Sequence, residues 1–116
     1  ALEKEIKALY LQVAIGAVGA PTISAANSKG ISSIARQSAG KYLITLQDKY
    51  NKLMSVSEHR ELSAGAPSAV GGFVVRTNSV SSGSLVVEFV DATGVGVELA
   101  NGTTLKMKFE VKNSSI

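Results

Sequence analysis

Between Leu105 and Lys112 the chain alternates without a fault. Leu105, Met107, Phe109 and Val111 are interleaved with Lys106, Lys108, Glu110 and Lys112. A period of two sorts these residues onto the dry and wet faces of a β-strand, which a helix would not do. The same rhythm returns in "KYLITLQ", where Tyr42, Ile44 and Leu46 share a face opposite Leu43, Thr45 and Gln47. "ISSIARQ" reads as a short strand, and "FVVRT" and "SLVVEFVD" as two β-branched runs joined by "NSVSSG". Leu85 to Val90 is apolar on both faces, as in a strand covered on both sides. Val95, Val97 and Leu99 alternate again before Asn101-Gly102, a strong hairpin signal. Ser55 to Leu62 places Val56 on one face with Glu58, Arg60 and Leu62, a poorly alternating strand.

The N-terminus is ambiguous. Leu2, Ile6, Leu9 and Val13 have helical spacing, whereas Leu9, Leu11, Val13 and Ile15 have strand spacing. The expectation is a loose or helical start that becomes a strand near Tyr10 and ends at the Gly16, Gly19, Pro21 cluster. "SAANSKG" and "SAGAPSAVGG" read as loops, and "DATG" as a turn. "DKYNKLM" offers Asp48 as a helix N-cap with room for about one turn. Seven or eight short strands with Gly, Ser and Asn turns indicate a β-sandwich or barrel. The expected fold is a single-domain, all-β antiparallel sandwich of jelly-roll or Greek-key type. An extended or short helical segment, residues 1–18, precedes a body of residues 19–116 as an arm or first strand.

A chain of 116 residues with 45% apolar content is long enough for one real core. Aromatic residues are only 5% and Trp is absent, so aliphatic side chains must fill it. The lack of cysteine excludes disulfides, thiolate metal sites and cysteine catalysis. A net charge of +3 from scattered basic residues argues against a nucleic-acid reader, which would carry a basic stripe with stacking aromatics. No apolar run approaches the roughly 18 residues that span a bilayer. The first residues mix acids and bases, unlike a secretory signal, and are expected to be the chain as made, its Met removed.

One stretch resembles a site. Ala35, Gly40 and Lys41 match a loose phosphate-binding loop, "ARQSAGK". Such a loop aims backbone N–H groups at phosphate and opens a helix after its lysine, where a hydroxyl residue binds Mg²⁺. Here Tyr42 stands at that position and a strand follows, so a hairpin turned at Gly40 is expected. His59, the single histidine, lies between Glu58 and Arg60 without a Ser or Asp placed to make it a base, and dispersed acids offer no zinc site. Asp48 and Asp91 have ordinary cap and turn roles. Glu88 needs a partner only if it points inward. Asn101 and Asn113 begin glycosylation-type triplets, here read as turn and tail. Lys106, Lys108 and Lys112 form a row that could meet an acidic surface, though a solvated face or a lysine-guarded edge is the favoured reading. Neither catalytic, cofactor-binding nor metal residues emerge.

The ordered segments "YLQVAIGAVGAPTI", "SKGISSIARQSAGKYLITLQDKYNKLM", "GSLVVEFVDATG" and "LKMKFEVKNSS" resemble small virion proteins of tailed bacteriophages. The pattern runs through Gly30, Ile31, Ser33, Ile34 and Arg36, then Gly40, Tyr42, Ile44, Thr45, Leu46, Asp48 and Tyr50. It continues through Asp91, Ala92 and Gly94 to Lys112, Asn113, Ser114 and Ser115, covering nearly all the chain except about Ser55 to Arg76. Where members carry a D-P-A-S-G type turn before the last strand, this chain has "LANG". The resemblance implies a non-enzymatic capsid decoration or cement protein on the virion surface, made in the host cytoplasm and bridging subunits of the major capsid protein. It also implies closed self-association, most simply a homotrimer, with no nucleic-acid, membrane or cofactor partner. The alternative it leaves is a head or tail fibre module that adheres to the host, with "SAGAPSAVGG" as a recognition loop. A capsid or subunit interface is expected on the N-terminal segment, at Leu2, Ile6, Leu9, Leu11, Val13, Ile15 and Val18, through strand addition to a neighbour. A plain first strand of the sandwich is the competing reading.

Overall fold

The computed structural model describes residues 6–62, 65 and 71–112. Eight strands form two antiparallel four-stranded sheets, and no α-helix occurs among the described residues. They are β1 (Ile6–Ile15), β2 (Pro21–Ile23), β3 (Ile31–Ser38), β4 (Lys41–Leu46), β5 (Lys52–Glu61), β6 (Gly72–Ser79), β7 (Ser84–Val90) and β8 (Thr104–Lys112). The first sheet has the order β2-β1-β8-β5 and the second β3-β4-β7-β6.

The alternating strands supply the core. Leu9, Leu11, Val13 and Ile15 of β1 lie with Leu105, Met107, Phe109 and Val111 of β8, all essentially inaccessible. Tyr42, Ile44 and Leu46 of β4 and Leu85, Val87 and Phe89 of β7 meet them from the second sheet. Phe89 anchors the aromatic part, with Tyr42 edge-on at 6.1 Å and Phe73 tilted at 5.9 Å between ring centroids.

Several expectations need correction. β1 is strand from Ile6 onward, so no helix starts the described chain; Leu2 lies outside the described residues. Nine paired positions with β8, from Ile6–Lys112 to Ala14–Thr104, hold the strand register. The helical turn at Asp48 is absent: Asp48 is exposed, Tyr50 is buried, and β5 begins at Lys52. Pro21–Ile23, not foreseen as strand, closes the end of β1 at an edge, where proline costs no ladder bond. Val95 to Leu99 is not a strand. It touches β7 through one bridge, Val90–Gly96, and sends Leu99 into the core.

Asn101-Gly102 is a turn, with Gly102 at φ +93°, but it joins no pair of strands. Gly102 N–H donates to the Ile15 carbonyl, and Ile15 N–H to the Thr103 carbonyl, both at 2.8 Å. The turn thus ties the entry of β8 to the end of β1. Asn113 and most of "SAGAPSAVGG" lie outside the described residues.

The exposed edges are guarded. β3 has two register shifts, and β5 and β6 have one each. On β5, Glu58 and Arg60 share the inward face with Val56, as the sequence suggested, and pair at 3.0 Å. The Glu58 oxygen is buried and lies off the angle of a hydrogen bond. Bulges and inward charges at a sheet edge oppose pairing with another chain.

Candidate functional site

The phosphate-loop candidate resolves into a closed structural knot. Gly40 turns the chain between β3 and β4 at φ +72°, and its N–H points at a carboxylate, Glu98 Oε1, at 3.3 Å. The anion received by this bend is therefore the protein's own. Glu98 is gripped by the Arg36 guanidinium at two points, one through Nε at 3.0 Å. Arg36 first, then the Gly40 N–H, hold the Glu98 carboxyl below its ordinary range against the opposing effect of burial. Beside it the buried Tyr42 hydroxyl donates to the Gly19 carbonyl at 2.8 Å. Burial, and then the nearby Glu98 charge, push Tyr42 up to about 12.

Other polar candidates are also absorbed. Asp91 Oδ1 accepts from Thr93 N–H, Thr93 hydroxyl and Val95 N–H at 2.8, 2.6 and 3.1 Å, and these bonds, the Thr93 hydroxyl foremost, hold its carboxyl low. Glu88 points outward to Arg76 at 2.5 Å. Among the described residues no cluster of three or more His, Cys, Asp or Glu could hold a metal, and no helix is long and apolar enough to cross a membrane.

The N-terminal interface residues are split. Leu9, Leu11, Val13 and Ile15 are 0–2% exposed in the chain's own core. Ile6 and Val18 are exposed, and Leu2 lies outside the described residues. The β1 backbone is paired with β8 on one side and, over Val13–Ile15, with β2 on the other; Tyr10 additionally bridges to Lys29. Between Tyr10 and Ile15 both sides of β1 are thus occupied by the chain's own backbone at Tyr10 and at Val13–Ile15, whereas Ile6–Leu9 pair with β8 on one side. The register that β1 presents outward is instead Ile6, Ala8, Tyr10, Gln12 and Ala14.

That outward register opens the outer face of the first sheet. Crossing the first sheet, Tyr10 is level with Lys108 and Ser57, and Gln12 with Lys106 and His59. Ala8 is level with Glu110 and Ser55, and Ala14 with Thr104 and Glu61. Tyr10 and Ile6 are each 45% exposed and Met54 is 50% exposed. The lysine row is not an edge guard, because β8 runs between β1 and β5. Lys108 Nζ stands over the Tyr10 ring, 6.0 Å from its centroid. Lys106 reaches Glu61 at 3.4 Å, and His59 Nε2 meets Glu61 at 3.0 Å. The His59 contact first, then Lys106, lower the Glu61 carboxyl. Glu110 accepts from the Ser55 hydroxyl at 2.6 Å.

A shallow groove of about 190 Å³ runs between Tyr10, Ser57, His59, Lys106 and Lys108. A wider depression of about 400 Å³ lies among loop residues Gln47 to Lys49 and Ser82–Gly83, without a convergent set of charged groups. Sequence reasoning found the lysine row but missed Tyr10, His59 and Glu61 as its companions. The even-numbered positions of β1 carried that signal, once β1 and β8 are placed side by side.

Fold and surface together define an all-β sandwich module with guarded edges, an internally satisfied polar knot and an outward sheet face that carries Tyr10, Lys106 and Lys108. No family model, curated protein or solved structure matches the chain.

Proposed function

We propose that this chain is a structural protein of a bacteriophage virion, a non-catalytic decoration or cement protein that docks on the major capsid protein and bridges its subunits. The observation that carries the reading is the outer face of the first sheet. It joins exposed Ile6, Tyr10 and Met54 to Lys106 and Lys108 across the neighbouring strands β1, β8 and β5. Such a face can bury apolar area while its charges set register, as specific interfaces of roughly 1,600 Å² do. The guarded edges favour assembly through faces instead of through strand addition. The sequence resemblance supplies the virion context, the capsid surface as the place of action and the homotrimer as the assembled form. Neither nucleic acid, membrane nor cofactor enters this reading. The strand order, with β4 beside β7 and β8 beside β5, fits a Greek-key path, and we assign the sandwich to that type or the related jelly roll.

In mechanism, each docked copy adds interface across a junction between shell subunits, and repetition over the shell multiplies the gain in resistance to internal pressure. The test is the number of copies per purified virion, by quantitative mass spectrometry. Hundreds of copies are expected. Tens or fewer would favour a fibre module that meets the host, and absence from the virion would overturn the proposal.

A further inference from the structure

The charges on the outer face of the first sheet have an order as well as a sum. Along β8 the outward positions read Lys106, Lys108, Glu110, Lys112. Glu110 is engaged by Ser55, and Glu61 sits beyond Lys106 at the other end of the pair. Lys108 makes no ion pair among the described residues, and its Nζ stands over the Tyr10 ring. Lys106 has only the exposed contact to Glu61, with both side chains about half accessible. Exposed pairs of this kind are worth little and exchange readily. Two cations thus stand on consecutive outward positions of one strand, about 6.8 Å apart by strand rise. They overlook a groove walled by Tyr10, Ser57 and His59, and carboxylates bound them at either end.

We propose that Lys106 and Lys108 receive an extended acidic protein segment, with two carboxylates at alternate residues, laid over the Tyr10 groove. This rests on reading the face as the docking surface and names the chemistry of its partner. Carboxylates two residues apart on an extended chain project to the same side with the spacing of the two lysines. Glu110 interrupts the lysines between Lys108 and Lys112, and Glu61 lies beside Lys106, so a uniform polyanion such as a nucleic-acid strand would meet carboxylates within the row. Exposed Ile6 and Met54 suit the mixed surface of a protein.

The test uses the whole chain without capsids. Its amide spectrum is titrated with Glu-Thr-Glu-Thr-Glu, with the reordered Glu-Glu-Thr-Thr-Glu, which has no two carboxylates at alternate residues, and with a single-stranded oligothymidylate. The alternating peptide should bind at least threefold tighter than the reordered one, with shifts centred on Tyr10, Ser57 and Lys106–Lys108. Lys108→Glu should weaken it at least tenfold, whereas Lys49→Glu, on an exposed loop, should leave it unchanged. Equal binding of the two peptides, equal loss in the two variants, or tighter binding of the oligothymidylate would overturn the inference. Capsid binding that survives such a result would leave the structural role standing and remove only the acidic-segment chemistry.

Discussion

Arg36 and Glu98, 62 residues apart, close a two-point ion pair that ties the edge strand β3 to the segment leading into β8. The carboxylate also receives the Gly40 N–H, so one anion fixes a strand, a turn and a loop. Its ionised form is favoured by folding. The resulting stability is present above the ordinary carboxylate range and is lost as pH falls through the lowered folded value. Glu98→Gln should cost about 1 kcal/mol at neutral pH, since both side chains are nearly one-third exposed. Melting curves between neutral and acid pH should show the gap between variant and parent narrowing as pH falls.

Gly40 itself is predicted to be irreplaceable. A Cβ there would lie 2.5 Å from the Val97 carbonyl oxygen and 2.6 Å from that of Phe89, on a backbone at φ +72°. Both neighbours are main chain and cannot swing aside. Gly40→Ala should cost more than about 3 kcal/mol, read by denaturant unfolding. A loss below about 1 kcal/mol would mean that the turn relaxes.

Tyr42 offers a test at high pH. Its folded value of about 12 stands above the ordinary 10.0, so folding favours the neutral phenol. That stability is intact below pH 10 and is lost as pH rises toward about 12. Phenolate absorbance should therefore show Tyr42 ionising together with unfolding, and Tyr42→Phe should remove that component. At neutral pH the same variant loses the bond to Gly19 and should cost about 1 kcal/mol.

The two registers of β1 should separate stability from binding. Leu11→Ala opens the core and should cost about 2–5 kcal/mol. Ile6→Ser, at an exposed position on the proposed docking face, should change stability by less than about 0.5 kcal/mol. It should nevertheless weaken attachment to shells. Comparable unfolding midpoints for both variants would place the inner register of β1 outside the core.

How much of this was legible in the sequence depends on the residues asked about. β4, β7 and β8 were plain because each alternates or runs apolar over six or more residues, and burial enforces the pattern. β1 was ambiguous because Leu9 and Val13 satisfy both periods, and only its pairing with β8 decides between them. Val95, Val97 and Leu99 alternate like a strand, yet Gly94 and Gly96 interrupt them and a single bridge is their whole pairing. Pro21–Ile23 is too short to carry a period. The poor alternation of β5 was real information: its inward Glu58 and Arg60 guard an edge. The knot of Arg36, Gly40 and Glu98 was invisible because its members meet only through tertiary packing. The lysine row was seen in the sequence, but whether it guarded an edge or decorated a face was settled by strand order.

The central claim is attachment of this chain to a capsid through the outer face of the first sheet. Its most direct measurement is co-sedimentation of the purified protein with capsid shells lacking it, comparing the parent, Lys108→Glu on that face and Val74→Ser on the second sheet. The account predicts saturable binding by the parent and by Val74→Ser, with at least a tenfold loss for Lys108→Glu. Absence of parent binding, or parent-like binding by Lys108→Glu, would contradict it.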